Sequence, residues 1–151
     1  MSYFRTMDIS ASGLTAQTLR TETISQNIAN SQTTRTEDGG PYRRKMTILE
    51  EREGAGGFAG ELQTAFNNLK GNGGVRVASV VEDQSPFRRV YDPEHPDAIQ
   101  EGEDAGYVLY PNVEPVREMV NLISATRSYE ANVTGLNATK EMAMKALEIG
   151  R

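Results

Sequence analysis

The chain lacks cysteine and tryptophan altogether, and its 151 residues include a single histidine. The absence of cysteine excludes a disulfide framework and thiolate chemistry. The sequence also has no uninterrupted apolar run of about 18 residues, the minimum expected of a membrane-spanning helix. These absences remove covalent cross-links, cysteine catalysis and a direct membrane span from the functions to consider.

An excess of positive charge is also absent. Lys and Arg number 16 against 21 Asp and Glu, which gives a formal net charge of -5 and no electrostatic reason to expect nucleic acid as a partner. A hydrophobic content of 37% is low for a compact globule, and the length predicts one domain or one elongated core with a small subdomain. Residues 1–8 lack the apolar core of a secretory signal. Taken alone, they predict a soluble cytoplasmic protein and leave open an export route that uses an uncleaved N-terminus.

Both ends of the chain have helical periodicity, with apolar residues three, four or seven positions apart. The spacing predicts helices over residues 3–28 and 116–149, each with one apolar stripe along which the two helices pair. We therefore expect a mainly α protein with a small β-rich middle, in which an antiparallel, coiled-coil-like pair of long terminal helices flanks an extended or β-hairpin insertion. The stripe residues are Phe4, Met7, Ala11, Leu14, Thr21, Ile24 and Ile28, and Met119, Leu122, Thr126, Tyr129, Val133, Leu136, Lys140, Ala143 and Leu147.

The middle of the chain has the composition of strands and turns. β-branched residues between glycines and turn residues predict strands near 42–50, 75–83, 87–91 and 106–110. Glycines at 54–60 and 71–74 predict flexible segments, and residues 61–69 could form a short helix. Asn112 is a candidate N-cap of the second helix, and Pro115 suits its first turn. The expected divisions are an N-terminal core helix (1–32), a β/loop region (33–111) and a C-terminal core helix (112–151).

The strongest catalytic candidate is the segment 92–97, in which Asp92, Glu94 and Asp97 surround His95. It could be a metal or acid–base site, yet it has neither zinc-ligand spacing nor the calcium-loop pattern. We favour a rigid turn with surface charge. Residues 42–45 (YRRK) could contact nucleic acid, although a solvated strand face fits an acidic chain better. The glycine clusters lack the Gly-Lys-Ser/Thr ending of a phosphate loop.

Two groups of residues are better candidates for interaction than for catalysis. Asn27 and Asn30 lie on one helical face, where they either satisfy the last carbonyls of the helix or fix its register against a neighbouring helix. A second stripe, Ser128, Ala131, Gly135 and Ala138, lies beside the apolar stripe of the C-terminal helix. We expect one face to meet the N-terminal helix and the other a neighbouring subunit. The expected interaction residues are Leu14, Ile24, Asn27, Ile28, Asn30, Leu122, Ser128, Tyr129, Ala131, Asn132, Val133, Gly135, Leu136 and Ala138.

Several segments, in order along nearly the whole chain, resemble the proximal rod proteins of the bacterial flagellum. They are residues 8–14 (DISASGL), 24–30 (ISQNIAN) with Thr33 and Thr34, 40–45 (GPYRRK), 91–98 (YDPEHPDA), 106–108 (GYV), 110–113 (YPNV) and 128–132 (SYEAN). The asparagine-containing segment alone marks the wider family of flagellar axial proteins, which includes distal rod, hook and hook-associated proteins. Segments 54–74 and 99–105 look longer than is usual in the family.

The resemblance implies a non-enzymatic subunit without cofactors, exported unfolded through the flagellar type III apparatus without signal cleavage. It implies a periplasmic place in the basal body and helical polymerisation around the export channel, with the terminal helices forming the inner tube. The implied partners are other proximal rod proteins, the ring-to-rod adaptor, the distal rod protein and further copies of the chain. A helical adaptor of fixed stoichiometry and a small carboxylate- or metal-dependent enzyme at residues 92–97 are the alternatives.

Overall fold

The computed structural model describes residues 3–37, 39–52, 73–102 and 104–149. Within these residues four short strands lie, in chain order, between two long helices, so the expectation of a mainly helical chain with a β-rich middle is confirmed. The predicted flexible segment at 54–60 and the possible helix at 61–69 lie outside the described residues. The elements in chain order are α1 (Tyr3–Ala29), β1 (Lys45–Glu51), β2 (Val75–Glu82), β3 (Arg88–Tyr91), β4 (Tyr107–Tyr110) and α2 (Pro115–Ile149).

Helix α2 begins at Pro115, where a missing backbone N–H costs nothing. The N–H of Glu118 donates to the carbonyl of Glu114 at 3.0 Å, which places Glu114 at the N-cap position. The expectation that Asn112 caps this helix is therefore wrong. The side chain of Asn112 instead bonds to the main chain of other segments, as described below.

The strands form two antiparallel pairs, β1 with β2 and β3 with β4. In the second pair Arg88 lies opposite Tyr110 and Tyr91 opposite Tyr107. The predicted strand at 42–50 begins three residues late, at Lys45. The other three strands lie within one residue of their predicted bounds. No helix among the described residues is long and apolar enough to cross a membrane.

The chain divides into two compact units. Unit 1 comprises residues 1–19, 48–79 and 125–151, and unit 2 comprises residues 20–47 and 80–124. In unit 1 the first half of α1 packs against α2: a Cβ placed on Gly13 would lie 3.0 Å from the Asn132 amide, and one on Gly135 would lie 3.9 Å from Ser10 Oγ. Because the earlier α1 residue meets the later α2 residue, the helices run antiparallel there.

The glycines before β2 pack on the same helix in unit 1. A Cβ on Gly73 would lie 2.8 Å from Ile9 Cδ1, and one on Gly74 would lie 2.8 Å from Ser12 Oγ. The hydroxyl of Ser12 also accepts the N–H of Val75 at 3.0 Å. Gly73 and Gly74 therefore form a close contact with α1, and the first two residues of the segment predicted to be flexible, 71–72, lie outside the described residues.

The buried face of α2 is not the predicted apolar stripe. Glu118, Ala125 and Thr139 are buried, each one position before a predicted stripe residue. Met119 and Leu147 are 52% and 76% exposed, whereas Leu122, Val133 and Leu136 are half-buried. Ala125 and Thr139 are small enough to allow a close approach of neighbouring segments, whereas Glu118 is buried in an ion pair with Arg44. The larger apolar side chains stand beside the buried face instead of on it.

Unit 2 has a small apolar core of Ile24, Val108 and Val113. The β3–β4 pair contributes Val108 to this core, and this residue is fully buried within β4. Next to β4, Gly106 lies against the ring of Tyr91. This core is too small to account for the remaining buried groups, which are polar.

Candidate functional site: a buried polar cluster in unit 2

Asn27, near the C-terminal end of α1, is 1% exposed and has every hydrogen-bonding position of its amide occupied. Its Nδ2 donates to the carbonyl of Lys45 at 2.8 Å and to Glu118 Oε2 at 3.1 Å. Its Oδ1 accepts the N–H of Lys45 at 2.9 Å and the hydroxyl of Tyr42 at 3.0 Å. One amide thus connects α1, the start of β1 and the start of α2.

Glu118 and Arg44 form an ion pair inside unit 2. Glu118 is 1% exposed, the Arg44 side chain is 14% exposed, and Arg44 Nη2 lies 2.8 Å from Glu118 Oε1. Arg44 Nε donates to the same oxygen at 2.9 Å, and Asn121 Nδ2 donates to it at 3.3 Å. A buried carboxylate is costly unless it is paired and hydrogen-bonded. Here both oxygens of Glu118 have donors.

Asn112 binds the main chain on both sides of this pair. Its Oδ1 accepts the N–H of Arg44 at 2.8 Å, and its Nδ2 donates to the carbonyl of Asp83 at 3.0 Å. The N–H of Asp83 in turn donates to the carbonyl of Arg44 at 2.8 Å. Asn112 therefore extends the contact between these two chain segments beyond the ends of β1 and β2.

The carboxylate of Asp83 completes the cluster. The Ser85 hydroxyl donates to Asp83 Oδ1 at 2.5 Å and the Ser85 N–H donates at 2.9 Å, while Arg44 Nη1 donates to Oδ2 at 3.3 Å. The pKa of Asp83 is lowered, chiefly by the Ser85 hydroxyl and then by the Ser85 N–H, with a smaller effect of Arg44. The ionised form is thus the one that this site stabilises.

Tyr42 is half-buried, and its hydroxyl donates to Asn27. Burial raises the pKa of Tyr42, and the negative charges of Glu82 and Glu118 raise it further. The phenol is therefore held neutral, as a hydrogen-bond donor. We call Asn27, Tyr42, Arg44, Asp83, Asn112 and Glu118 the polar cluster.

The polar cluster has the properties of a structural connection, because its amides and its buried carboxylate are fully occupied by partners within the chain. It joins four segments of unit 2: the end of α1, the start of β1, the end of β2 and the start of α2. Satisfied polar networks of this kind specify one arrangement of a core. The two most deeply buried members, Asn27 and Glu118, have partners within the chain at each polar atom.

The basic run at 42–45 is neither a nucleic-acid patch nor a solvated strand face. Arg44 is buried in the polar cluster. The guanidinium of Arg43 lies 4.3 Å from the centre of the Phe87 ring and donates to the carbonyl of Asp83. Lys45 Nζ lies 5.8 Å from the centre of the Tyr42 ring. The sequence-based preference for a solvated face is therefore wrong, because it did not foresee a buried carboxylate.

The segment 92–97 is a turn. His95 Nδ1 accepts the N–H of Asp97 at 3.1 Å, and Asp97 Oδ2 accepts the hydroxyl of Thr34 at 2.8 Å. Among the described residues no group of three or more His, Asp or Glu side chains is arranged to hold a metal ion. Asp97 binds another segment of the chain and does not converge with Asp92 and Glu94 on a common point.

Comparison with known proteins gives matches to two family descriptions, "Flagella basal body rod protein" over residues 7–35 and "Flagellar basal body rod FlgEFG protein C-terminal" over residues 104–149. The chain is 48% identical to the flagellar basal-body rod protein FlgC of Bacillus subtilis, over the full length of both chains. It is 47% identical to FlgC of Borreliella burgdorferi, with 99% of this chain and 98% of that protein covered, and 40% identical to FlgC of Salmonella typhimurium over the full length of both.

The chain belongs to the FlgC family of flagellar basal-body rod proteins. Its function class is that of a structural subunit of the flagellar rod. FlgC-family members are structural proteins and not enzymes. The polar cluster joins four segments of unit 2, which fits a structural role in the subunit.

The structure separates the interaction residues expected from the FlgC-like sequence into three groups. Ile24 and Asn27 are buried within unit 2. The exposed members are Tyr129, Ala131, Gly135 and Ala138. Half-buried members are Leu14, Ile28, Asn30, Leu122, Ser128, Asn132, Val133 and Leu136. Of the two asparagines, Asn27 bonds to another helix and Asn30 to its own helix, at Gln26 O.

Sequence reasoning missed Arg44, Glu118, Asn112 and Tyr42 as members of one cluster. Glu118 lies in the first turn of a helix, where an acidic residue complements the N-terminal dipole. Because this explains the residue without any burial, the sequence did not indicate that Glu118 is buried. The one sequence feature that could have indicated the cluster is the polar composition of the FlgC-like segments 24–30 and 40–45, which contain Asn27, Tyr42 and Arg44. Without a contact map, these segments do not indicate that they meet.

Proposed function

We propose that the chain polymerises helically with other proximal rod proteins to form the drive shaft of the flagellum, transmits torque and surrounds the export channel. The observation that carries this proposal is the 48% identity to a FlgC protein over the full length of both chains. The similarity extends along the whole chain and not only over the two segments that match the family descriptions. The protein's role is then in its contacts with neighbouring subunits.

The proposed partners are other proximal rod proteins, the ring-to-rod adaptor, the distal rod protein and further copies of this chain. The proposed location is the periplasmic rod, reached through the type III export apparatus without cleavage of a signal. In this proposal the helices of residues 1–32 and 112–151 pack as a coiled-coil-like core of the rod. Residues 33–111 project from it toward neighbours.

Exposed apolar side chains on α2 support a role in assembly. In unit 2, Val116, Met119, Val120 and Ile123 lie on two successive turns of the helix, and each is more than half exposed. Isolated exposed apolar residues are ordinary, but a contiguous group on one helix face is typical of a surface that a partner covers. An axial assembly supplies such partners along the length of a helix.

The expected interaction residues then act in two ways. We propose that the exposed group, Tyr129, Ala131, Gly135 and Ala138, contacts a neighbouring subunit directly. Ile24 and Asn27 act indirectly, because their side chains hold unit 2 in the form that is assembled. Replacement of a residue from the first group should impair assembly of a folded chain, and replacement from the second should impair folding first.

A gene-replacement experiment tests the function. The chain is expressed in a flagellated bacterium whose own FlgC gene has been deleted, swimming is scored, and basal bodies are purified for cryo-electron microscopy. We expect restored swimming and density for this chain in the rod, in helical array around the channel. The decisive host is the organism from which the chain comes, with its own gene deleted. If the reintroduced chain is expressed and folded normally there but the rod is not recovered, the proposal is contradicted.

A pair of substitutions at Gly135 tests the proposed contact face. Gly135→Leu adds a large side chain to an exposed helical position, and Gly135→Ala is the matched control. We expect both variants to keep the helical circular dichroism of the original chain. Only the alanine variant should be recovered in purified basal bodies. Normal incorporation of the leucine variant would show that this face does not contact a neighbour.

A further inference from the structure

A cleft of about 600 Å³ lies beside the start of β1 in unit 2. The rings of Tyr42 and Phe87 form part of its lining, together with the cationic side chains of Arg43 and Lys45. Both cations are half-buried. The ion pairs within the described part of the chain include neither of them. The cleft therefore contains two positive charges that no carboxylate of the same copy neutralises by direct contact.

The extended chain before β1 explains why these two cations lie together. Successive side chains of an extended segment point to opposite sides, so Arg44 enters the polar cluster and its two neighbours line the cleft. The Arg43 guanidinium lies 4.3 Å from the centre of the Phe87 ring, and Lys45 Nζ lies 5.8 Å from that of Tyr42. A cation held over an aromatic ring keeps its charge. Both groups can therefore still pair with an anion.

Two carboxylates, Glu37 and Glu82, also line the cleft, and both are exposed. Solvent and salt screen exposed charges more strongly than partly buried ones. The half-buried cations therefore favour an anion inside the cleft, while the exposed carboxylates favour a cation near its rim. An occupant that fits has a carboxylate at its tip and a positive charge on its flank.

The segment 99–107 of unit 2 presents such a carboxylate. Two main-chain hydrogen bonds close it: the N–H of Ile99 donates to the carbonyl of Tyr107 at 3.0 Å, and the N–H of Gly106 donates to the carbonyl of Ile99 at 2.8 Å. Glu101 and Gly102 are exposed beyond this closure. A Cβ on Gly102 would meet nothing within 4 Å. We call this segment the acidic loop.

Arg89 supplies a positive charge on the flank of the acidic loop. Its Nη1 lies 2.9 Å from Asp104 Oδ1, and its side chain is 62% exposed. A guanidinium has five N–H donors, so this contact leaves others for a second carboxylate. None of the described residues of the acidic loop lines the cleft of its own copy. Loop and cleft are therefore complementary surfaces at separate places on unit 2.

We propose that the acidic loop of one copy docks into the cleft of a second copy. Glu101 then lies between Arg43 and Lys45, and Arg89 lies beside the exposed carboxylates of the rim. Because the two surfaces differ, the contact is heterologous and can continue from copy to copy. This docking depends on the proposed function only for its partner, a further copy of the chain.

Carbodiimide cross-linking of the full chain tests the docking, because this reagent joins an amine directly to a carboxylate in contact with it. Equal amounts of ¹⁵N-labelled and unlabelled chain are mixed, cross-linked and digested for mass spectrometry. A linked pair of peptides with only one labelled member comes from two copies. We expect such mixed pairs to join Lys45 to Glu101. Lys140 is exposed and serves as the control, and mixed links from it to Glu101 in equal yield would overturn the proposal.

Arg43→Gln leaves both linked groups in place and removes one charge of the cleft. The yield of the mixed Lys45–Glu101 link should fall about three- to fivefold. Arg117→Gln, at an exposed position of unit 2, should leave it unchanged. The original chain provides a second measurement that needs no variant: the yield should also fall between about 0.1 M and about 1 M salt, where the screening length shrinks from about 10 Å to about 3 Å. A yield that does not respond to salt would overturn the proposal.

Cross-linking of purified basal bodies separates this docking from the proposed function. A link from Lys45 to Glu101 in the rod supports the docking. A link from Lys45 to a carboxylate of a different rod protein, with swimming restored, would overturn the second copy as the occupant and leave the proposed function standing. Conversely, a mixed link in the purified chain would support the docking even if the chain did not restore the rod.

Discussion

The side-chain amide of Asn27 forms both hydrogen bonds with the main chain of Lys45 that a residue in a neighbouring strand would form. The amide thus takes the place of a peptide group at the beginning of β1. Its two remaining positions are used by Tyr42 and Glu118. Because all four positions are occupied, no other side chain of this size has the same set of donors and acceptors.

Asn27→Asp is expected to destabilise the protein strongly. The change keeps the shape but replaces two donors by acceptors, which then face the carbonyl of Lys45 and the carboxylate of Glu118. A buried unpaired charge costs about 3–5 kcal/mol, and urea unfolding measures it. The control is Asn30→Asp at a half-buried position, where the amide nitrogen donates to Gln26 O and the amide oxygen accepts the Thr33 hydroxyl; it should cost less than about 1 kcal/mol. Equal losses for the two variants would contradict the special role of Asn27.

Glu118→Gln tests the buried ion pair. The amide still offers one oxygen, but the charge of Arg44 loses its closest partner. Removing one partner of a buried pair costs about 3–5 kcal/mol, and the nearby Asp83 should reduce this toward the lower limit. Glu114→Gln, at an exposed position four residues earlier, should change the free energy of unfolding by less than about 0.5 kcal/mol. A double-mutant cycle with Arg44→Met separates the pair energy from the loss of packing.

The helices and strands could be predicted because their signals are local. Pro115 marks the start of α2, and β-branched residues between Gly74 and the turn residues at 83–86 mark β2. The buried face of α2 could not be predicted in the same way. The periodicity of Met119 and Leu147 is as good as that of Ala125 and Thr139, and only the close packing of neighbouring segments decides between them.

The polar cluster was beyond sequence reasoning for a different reason. Arg44 and Glu118 are 74 positions apart, and each has an ordinary local explanation, as a strand residue and as a residue of the first helical turn. Their burial depends on Asn27 and Asn112, which bring the two segments together. Local patterns do not contain this long-range information.

Gly106→Ala should be more costly than Gly102→Ala. Both glycines have a positive φ, of 84° and 99°, so the backbone strain of about 1–2 kcal/mol is common to both. A Cβ on Gly106 would lie 2.8 Å from Tyr91 Cε2, whereas one on Gly102 meets nothing within 4 Å. Displacing Tyr91 disturbs its edge-on contact with Tyr107, worth about 0.5–1.5 kcal/mol. Thermal unfolding should show this difference, and equal costs would mean that the Tyr91 ring moves freely.

Ser85→Ala should reduce stability at neutral pH and have little effect in acid. The Ser85 hydroxyl is the main cause of the lowered pKa of Asp83. A lowered pKa in the folded state stabilises the fold above the ordinary aspartate pKa of about 3.9, and this stability is lost as the pH falls through the folded value. The free-energy difference between the variant and the original chain should therefore shrink below about pH 4. In the control, Ser31→Ala, the lost hydroxyl donates to the carbonyl of Ile28, and its effect should not vary with pH in this way.

Gly135→Ala and Gly13→Ala should change stability in opposite directions, although both replace a glycine inside a helix. At Gly135 the nearest atom to the new Cβ is Ser10 Oγ at 3.9 Å, an ordinary contact, so the helix gains up to about 1 kcal/mol. At Gly13 the Asn132 amide lies at 3.0 Å and is held by its bond to Ser128 O. Forcing it aside costs about 1–3 kcal/mol, which exceeds the gain in helix propensity. Urea unfolding of the two variants decides the question, and a stabilising effect of Gly13→Ala would mean that Asn132 can move without loss.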